Sequence, residues 1–183
     1  SFWALVYVGI FAVLTLVIVG YFTLMMGDHP RQQAMLREAA DLRAADQHDE
    51  AIAILLEYGE EWPGAYETQN FNRRLGEYYL DADEYETAAS FLETSIQLDP
   101  SIPGAWVLLG KAYWYTDRKE DAVRLFNMEL RDGDQSNDMA FAYLGLYAYE
   151  NENFPQAFQL FAAVENPEDL DLPIDQYRNQ FID

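Results

Sequence analysis

The chain has 183 residues, with 32 Asp and Glu against 11 Lys and Arg, a formal net charge of −21, two histidines and no cysteine. That charge argues against nucleic acid as a ligand, because phosphates repel it and no basic stripe with interleaved aromatics offsets it; it also opposes flat binding to an anionic leaflet. The missing cysteine removes disulfides, thiolate metal sites and thiol redox chemistry, and the acidic surface reads equally as solubility, adaptation to salt or recruitment of a basic partner.

From the N-terminal end, Phe2 to Met26 carries no charged side chain. These twenty-five residues would make a helix of roughly 37 Å, enough to cross a hydrocarbon core of about 30 Å with some tilt. Residues 1–27 are therefore expected to form a single N-terminal transmembrane helix, with Trp3, Tyr7 and Tyr21 towards its ends, where amphipathic rings favour the headgroups. A cleaved signal peptide would have a shorter apolar region behind a basic segment, and neither condition holds. A buried core helix fits less well, because the segment has no polar face.

Beyond the span one pattern dominates. Leu75, Gly76, Tyr79, Ala88 and Pro100 recur 34 residues later as Leu109, Gly110, Tyr113, Ala122 and, less faithfully, Asp134. A fixed period of this length is the signature of a helical repeat array. The small residues let two helix axes approach closely, and Leu75, Tyr79 and Leu92 fill the space around the contact. Upstream, Met35, Ala39, Leu42, Ala51, Leu55 and Pro63 occupy the same places, with about three extra residues near Gly64 to Asn70. Downstream, Leu144, Gly145, Ala157 and Phe161 match after a one-residue displacement in the loop around Asp132 to Asp138.

Each unit reads as two helices; in the third, Ser101 to Tyr115 forms the first, with Trp106, Leu109, Gly110 and Tyr113 on one face, and Lys119 to Leu130 forms the second. Turns fall at Asp81-Ala82-Asp83, Thr116-Asp117-Arg118 and Asn151-Glu152-Asn153. The expected organisation is four repeats within 28–168, at about 32–65, 69–102, 103–136 and 138–168, followed by a capping segment at 169–183. In that segment Ile174, Tyr177 and Phe181 are spaced for a short helix over the last apolar face.

These residues resemble a tetratricopeptide repeat domain. The third unit carries the family's pattern in Trp106, Leu109, Gly110, Tyr113, Ala122 and Phe126, and the second in Leu75, Gly76, Tyr79, Ala88, Leu92 and Pro100. The outer units depart from it, with Ala39 in place of glycine and Ala148 in place of tyrosine, as terminal repeats commonly do. The resemblance covers roughly residues 32–168 and implies an all-α, right-handed superhelical array whose concave face is lined by the first helix of each unit.

Carried over position by position, that lining is Leu36, Ala40 and Arg43, then Asn70, Arg73 and Glu77, then Val107, Lys111, Trp114 and Tyr115, then Ala142, Leu146 and Tyr149. Arg43, Arg73, Glu77, Lys111, Trp114, Tyr115, Leu146 and Tyr149 form the candidate protein-binding groove, suited to an extended or helical peptide held by aromatic anchors. Trp114 and Tyr115 could instead pack against a neighbouring helix or the capping segment. The carboxylate-holding set of chaperone-binding relatives is missing, since Leu36 and Ala40 stand where its first Lys and Asn would be.

No catalytic pattern appears: there is no HExxH, phosphate loop or nucleophile elbow. His29 and His48 are far apart and read as solvated side chains. Asp132-Gly133-Asp134-Gln135-Ser136-Asn137-Asp138 begins like a calcium loop, but Asn137 replaces the required glycine and Tyr143 the closing glutamate. Acidic clusters at Asp81, Asp83, Glu84 and Glu86, and at Glu165, Glu168, Asp169 and Asp171, fall in turns and read as solvated charge. No enzyme, metal or cofactor is expected.

Two functions fit. One is a membrane-anchored scaffold or adaptor that holds a protein partner in its groove and supports assembly of a membrane or envelope complex. The other is a structural subunit of a larger membrane complex, its span packed on lipid and other transmembrane helices. No Lys or Arg precedes the span in this sequence, while Arg31 and Arg37 follow it, so the charge rule taken literally puts the array in the cytoplasm. Family analogy favours the periplasmic side of a bacterial inner membrane.

Overall fold

A computed structural model describes residues 14–17 and 30–180. Residues 14–17 are helical and exposed, and the rest of the expected span lies outside the described residues, as do His29 and Phe181. No helix among the described residues is long and apolar enough to cross a membrane.

The array follows the period. Helices α1 (Pro30–Ala44) and α2 (His48–Glu61) make the first pair, α3 (Gln69–Asp81) and α4 (Tyr85–Leu98) the second. Helices α5 (Ala105–Trp114) and α6 (Lys119–Asp132) make the third, α7 (Asp138–Glu150) and α8 (Phe154–Ala163) the fourth. Within each pair the chain reverses through one left-handed residue: Asp46, Asp83, Asp117 and Glu152, at φ of 57°, 58°, 56° and 59°. Short polar Asp tolerates this conformation better than most L residues. The intervals of 37, 34 and 35 residues reproduce the three-residue insertion and the one-residue displacement read from the sequence.

Close approach inside each pair explains the small residues. A Cβ placed on Gly76 would sit 2.5 Å from Leu92, one on Gly110 2.5 Å from Phe126, and one on Gly145 2.6 Å from Phe161. Ala39 and Leu55 hold the same places in the first pair, both fully buried. Ala51, Ala88, Ala122 and Ala157, at matching places in the second helices, are likewise fully buried.

The inserted residues form a 3-10 turn, Pro63–Glu67. Buried Asn72 ties it down by donating from Nδ2 to the carbonyls of Tyr66 and Thr68, both at 2.8 Å. In the third pair the first helix starts at Ala105 rather than Ser101, because Pro100 and Pro103 interrupt the approach and Gly104 is left-handed at φ 73°. A last short helix, α9 (Ile174–Asn179), caps the array: Ile174 is buried, and the Tyr177 ring stacks on Phe161 at 5.2 Å.

Candidate functional site: the concave face

The first helices of all four repeats converge on one cavity of about 310 Å³. Arg43 comes from α1, Glu77 and Asp81 from α3, Lys111 from α5 with Tyr115 just past its end, and Met139 and Tyr143 from α7. Asp169 to Leu172, from the segment before α9, close one side.

One end of this face is ionic. Arg43 donates from Nη1 to Glu77 at 3.0 Å and from Nε to Asp81, and Arg73 reaches the other Glu77 oxygen at 3.2 Å. The Arg43 guanidinium also lies 5.0 Å from the centre of the Tyr78 ring. Burial alone would make Arg43 easier to deprotonate, but the hydrogen bonds and charges of Asp81 and Glu77 outweigh it and raise its pKa. Arg43 therefore joins repeats one and two. Lys111 is half-buried and makes no ion pair among the described residues.

The other end is aromatic. Tyr115 is 44% exposed, stacks on Tyr85 at 4.5 Å, and accepts a hydrogen bond from the Tyr143 hydroxyl at 3.3 Å. Burial raises the Tyr143 pKa most, with Tyr115 and Asp171 adding to it; burial also leads for Tyr85, followed by the hydrogen bond it donates to Asp83. These phenols remain neutral donors across physiological pH, so the cluster offers apolar ring faces with fixed polar edges.

Several residues expected in the groove lie elsewhere. Trp114 is 8% exposed and packs on Tyr143 at 5.2 Å, with the Lys119 ammonium 4.5 Å over its ring; it joins α5 to α7 and offers no surface to a ligand. Leu146, Val107 and Ala142 are buried too. Tyr149 is half-covered by the C-terminal segment, donating to Gln180 Oε1 at 2.7 Å and meeting Tyr177 edge-on at 5.0 Å. Leu36, Ala40 and Asn70 remain at least partly accessible. The cavity thus retains Arg43, Glu77, Lys111 and Tyr115 from the expected set, and adds Tyr85, Leu108, Met139 and Tyr143. Tyr85 belongs to a second helix, so first-helix positions alone could not reveal it. No cluster of potential metal ligands occurs among the described residues.

Residues 74–102 match the family model of the tetratricopeptide repeat. The chain is similar in fold to the crystal structure of MamA, with a TM-score of 0.62 and 17% identity over 81% of this chain and 85% of that one. For MamA 41-end from Desulfovibrio magneticus RS-1 the TM-score is 0.63, with 18% identity over 77% of this chain and 78% of that one. The C-terminal part of a TPR repeat-containing protein from Cytophaga hutchinsonii gives 0.61 and 20% identity, over 79% of this chain and 56% of that one. No curated protein matches the sequence. The described region is an all-helical array of the tetratricopeptide type in its fold.

Proposed function

We propose that this chain is a non-catalytic adaptor that holds an extended segment of another protein along its concave face and keeps it at a membrane through residues 2–26, in support of a membrane or envelope complex. The observation that carries this reading is the cavity itself: four repeats contribute to it, and within it exposed Tyr115 stands beside Lys111, which makes no ion pair among the described residues. Large rigid rings next to a charge are what an interface uses to anchor a peptide. The uncharged run from Phe2 to Met26 supplies the reason to place the adaptor on a membrane. We place the array on the periplasmic side of a bacterial inner membrane, where protease should reach it once the outer membrane is opened; degradation only after the inner membrane is broken would reverse that placement.

The test of the groove is site-specific crosslinking from Tyr115 in cells, followed by copurification in mild detergent with Tyr115→Ala and Lys111→Glu variants. Partner capture should fall in both, with the helical circular dichroism unchanged. Capture that is indifferent to both substitutions would refute the groove as the binding face.

A further inference from the structure

The third repeat carries a second cavity, of about 630 Å³, that shares no residue with the concave one. It lies where the approach to α5 meets the end of α6 and the loop into α7. Its walls are apolar: Pro100, Ile102, Pro103 and the part-exposed Trp106, whose ring meets no other aromatic ring and no cation among the described residues. Three carboxylates, Glu129, Asp132 and Asp134, line it and no cation does. An apolar cavity of this size with a few polar groups has the form of a ligand site.

Glu129 is the group that packing does not explain. It is 3% exposed, yet it makes no ion pair among the described residues. Stepped by the intervals between the repeats, its counterparts are Tyr58, Ser95 and Val164, none of them acidic. Ser95 uses this place structurally, its hydroxyl donating to the Gln69 carbonyl at 2.8 Å. An ionised glutamate can only accept, so Glu129 cannot repeat that tie. Among the described residues it accepts one hydrogen bond, from the Asp134 amide to Oε1 at 3.3 Å. Oε2 accepts none there, and Gly133 leaves it uncovered, since a Cβ at that position would sit 3.0 Å from it.

The other polar side chains of the cavity are already engaged. Asp134 Oδ1 accepts from the Ser136 amide at 3.0 Å and its hydroxyl at 2.8 Å, and Asp132 pairs with Arg131, which does not line the cavity. Ser101 donates to Asp99 at 2.7 Å, and Asn137 caps α7. Burial raises the Glu129 pKa most; the Asp134 amide opposes that shift and the Asp134 charge adds to it. A carboxylate buried without a cation is costly, and a cation brought beside it favours the ionised form. The carboxylates do not converge into a cluster of metal ligands, and the apolar walls suit a cation carried on an apolar stem.

We propose that this cavity takes the side chain of an arginine on a partner protein, with the guanidinium at Glu129 Oε2 and the Trp106 ring, and the stem along Ile102 and the prolines. Arginine suits the site better than lysine, because a guanidinium is more weakly hydrated than an ammonium and stacks on aromatic faces. Charge-assisted hydrogen bonds to a carboxylate are also the strong ones. The contact lies outside the concave face, and it rests on the adaptor reading only in taking a protein as the partner.

The experiment is fluorine NMR on the full chain in detergent, with its four tryptophans replaced by fluorotryptophan and the Trp106 signal assigned with Trp106→Phe. The probes are acetyl-Leu-Arg-Leu-amide, the same peptide with lysine, and the same peptide with citrulline, which keeps the shape of arginine without its charge. The arginine peptide should shift the Trp106 signal and bind at least about tenfold more tightly than the citrulline peptide, with lysine weaker than arginine. Glu129→Gln should abolish that preference with the helical circular dichroism unchanged. Glu129→Ser, which copies the second repeat, should do the same and reports even where glutamine disturbs the fold. Tyr115→Ala should leave the preference intact. Equal binding of the arginine and citrulline peptides, binding of neither, a preference that survives both Glu129 variants, or one lost with Tyr115→Ala would overturn the proposal. Equal binding of the lysine peptide would overturn the choice of a guanidinium, and equal binding of ethylguanidinium alone would overturn the choice of a protein side chain. Crosslinking from Tyr115 tests the adaptor reading without Glu129, so either can fail alone.

Discussion

Gly110→Ala isolates the packing rule on which the array is built. The added Cβ would lie 2.5 Å from Phe126 Cε1 and 2.9 Å from its Cδ1 and Cζ, so either the ring or a helix must give by about an ångström. The ring has nowhere to go: Phe126 is fully buried, and its other face stacks on Tyr143 at 5.1 Å with the planes 7° apart. Overpacking of this kind costs about 1 to 3 kcal/mol. Alanine recovers up to about 1 kcal/mol of helix propensity, and with the ring blocked on both faces we expect a net loss of about 2 kcal/mol, or about 4 to 8 °C in Tm for a chain of this size. Urea and thermal unfolding followed by circular dichroism measure it. The partner change Phe126→Leu recreates the Ala39–Leu55 pair of the first repeat, so the double variant should be more stable than the sum of the single losses predicts. A Gly110→Ala chain as stable as the parent would refute close approach as the reason for glycine.

Trp114→Ala should destabilise by about 3 kcal/mol or more, the cost of emptying a buried aromatic site, whereas Tyr115→Ala, at 44% exposure, should stay within about 1 kcal/mol; comparison of their unfolding midpoints tests this separation of packing from recognition. Asn72→Ala removes the side chain that holds the carbonyls of both Tyr66 and Thr68, so it should cost about 1 to 2 kcal/mol and speed amide exchange in the turn at 63–68. Burial, then the hydrogen bond to Glu93, raises the Tyr113 pKa to about 12. Its neutral form therefore contributes stability that is complete below the ordinary tyrosine pKa of about 10 and is lost as pH rises towards about 12. Tyr113→Phe should flatten that part of the alkaline unfolding profile. For Asp138, burial opposes ionisation, but the bonds from Glu165 and Asn166 outweigh it and lower the pKa. Those tethers should hold above the ordinary aspartate pKa and loosen as pH falls below it, seen as faster exchange at 165 and 166.

The parts of this fold that were legible in the sequence depend on contacts between residues close along the chain. Gly76 meets Leu92 sixteen residues on, and Gly110 and Gly145 meet Phe126 and Phe161 at the same distance. A contact repeated at one offset survives as a repeated pattern, and each insertion appears as a shift in its phase. The candidate groove was less legible because a first helix in an array has two buried sides. One side of α5 packs on α6, and the other reaches α7 through Trp114 and Tyr143. Helical periodicity says only that Trp114 lies off the Leu109 and Gly110 stripe. It does not distinguish a residue facing the next repeat from one facing an open groove. The segment before the cap was not legible either: Pro167–Asp169 forms a 3-10 turn, and helix α9 begins only at Ile174.

The ties between repeats narrow the set of residues that can meet a partner. Most out-of-phase residues join one repeat to the next: Arg43 ties α1 to α3, Trp114 ties α5 to α7, and Tyr149 receives the C-terminal segment. Recognition is left to a narrower set, the Tyr85–Tyr115 stack and Lys111, in the cavity that Asp169 to Leu172 close on one side.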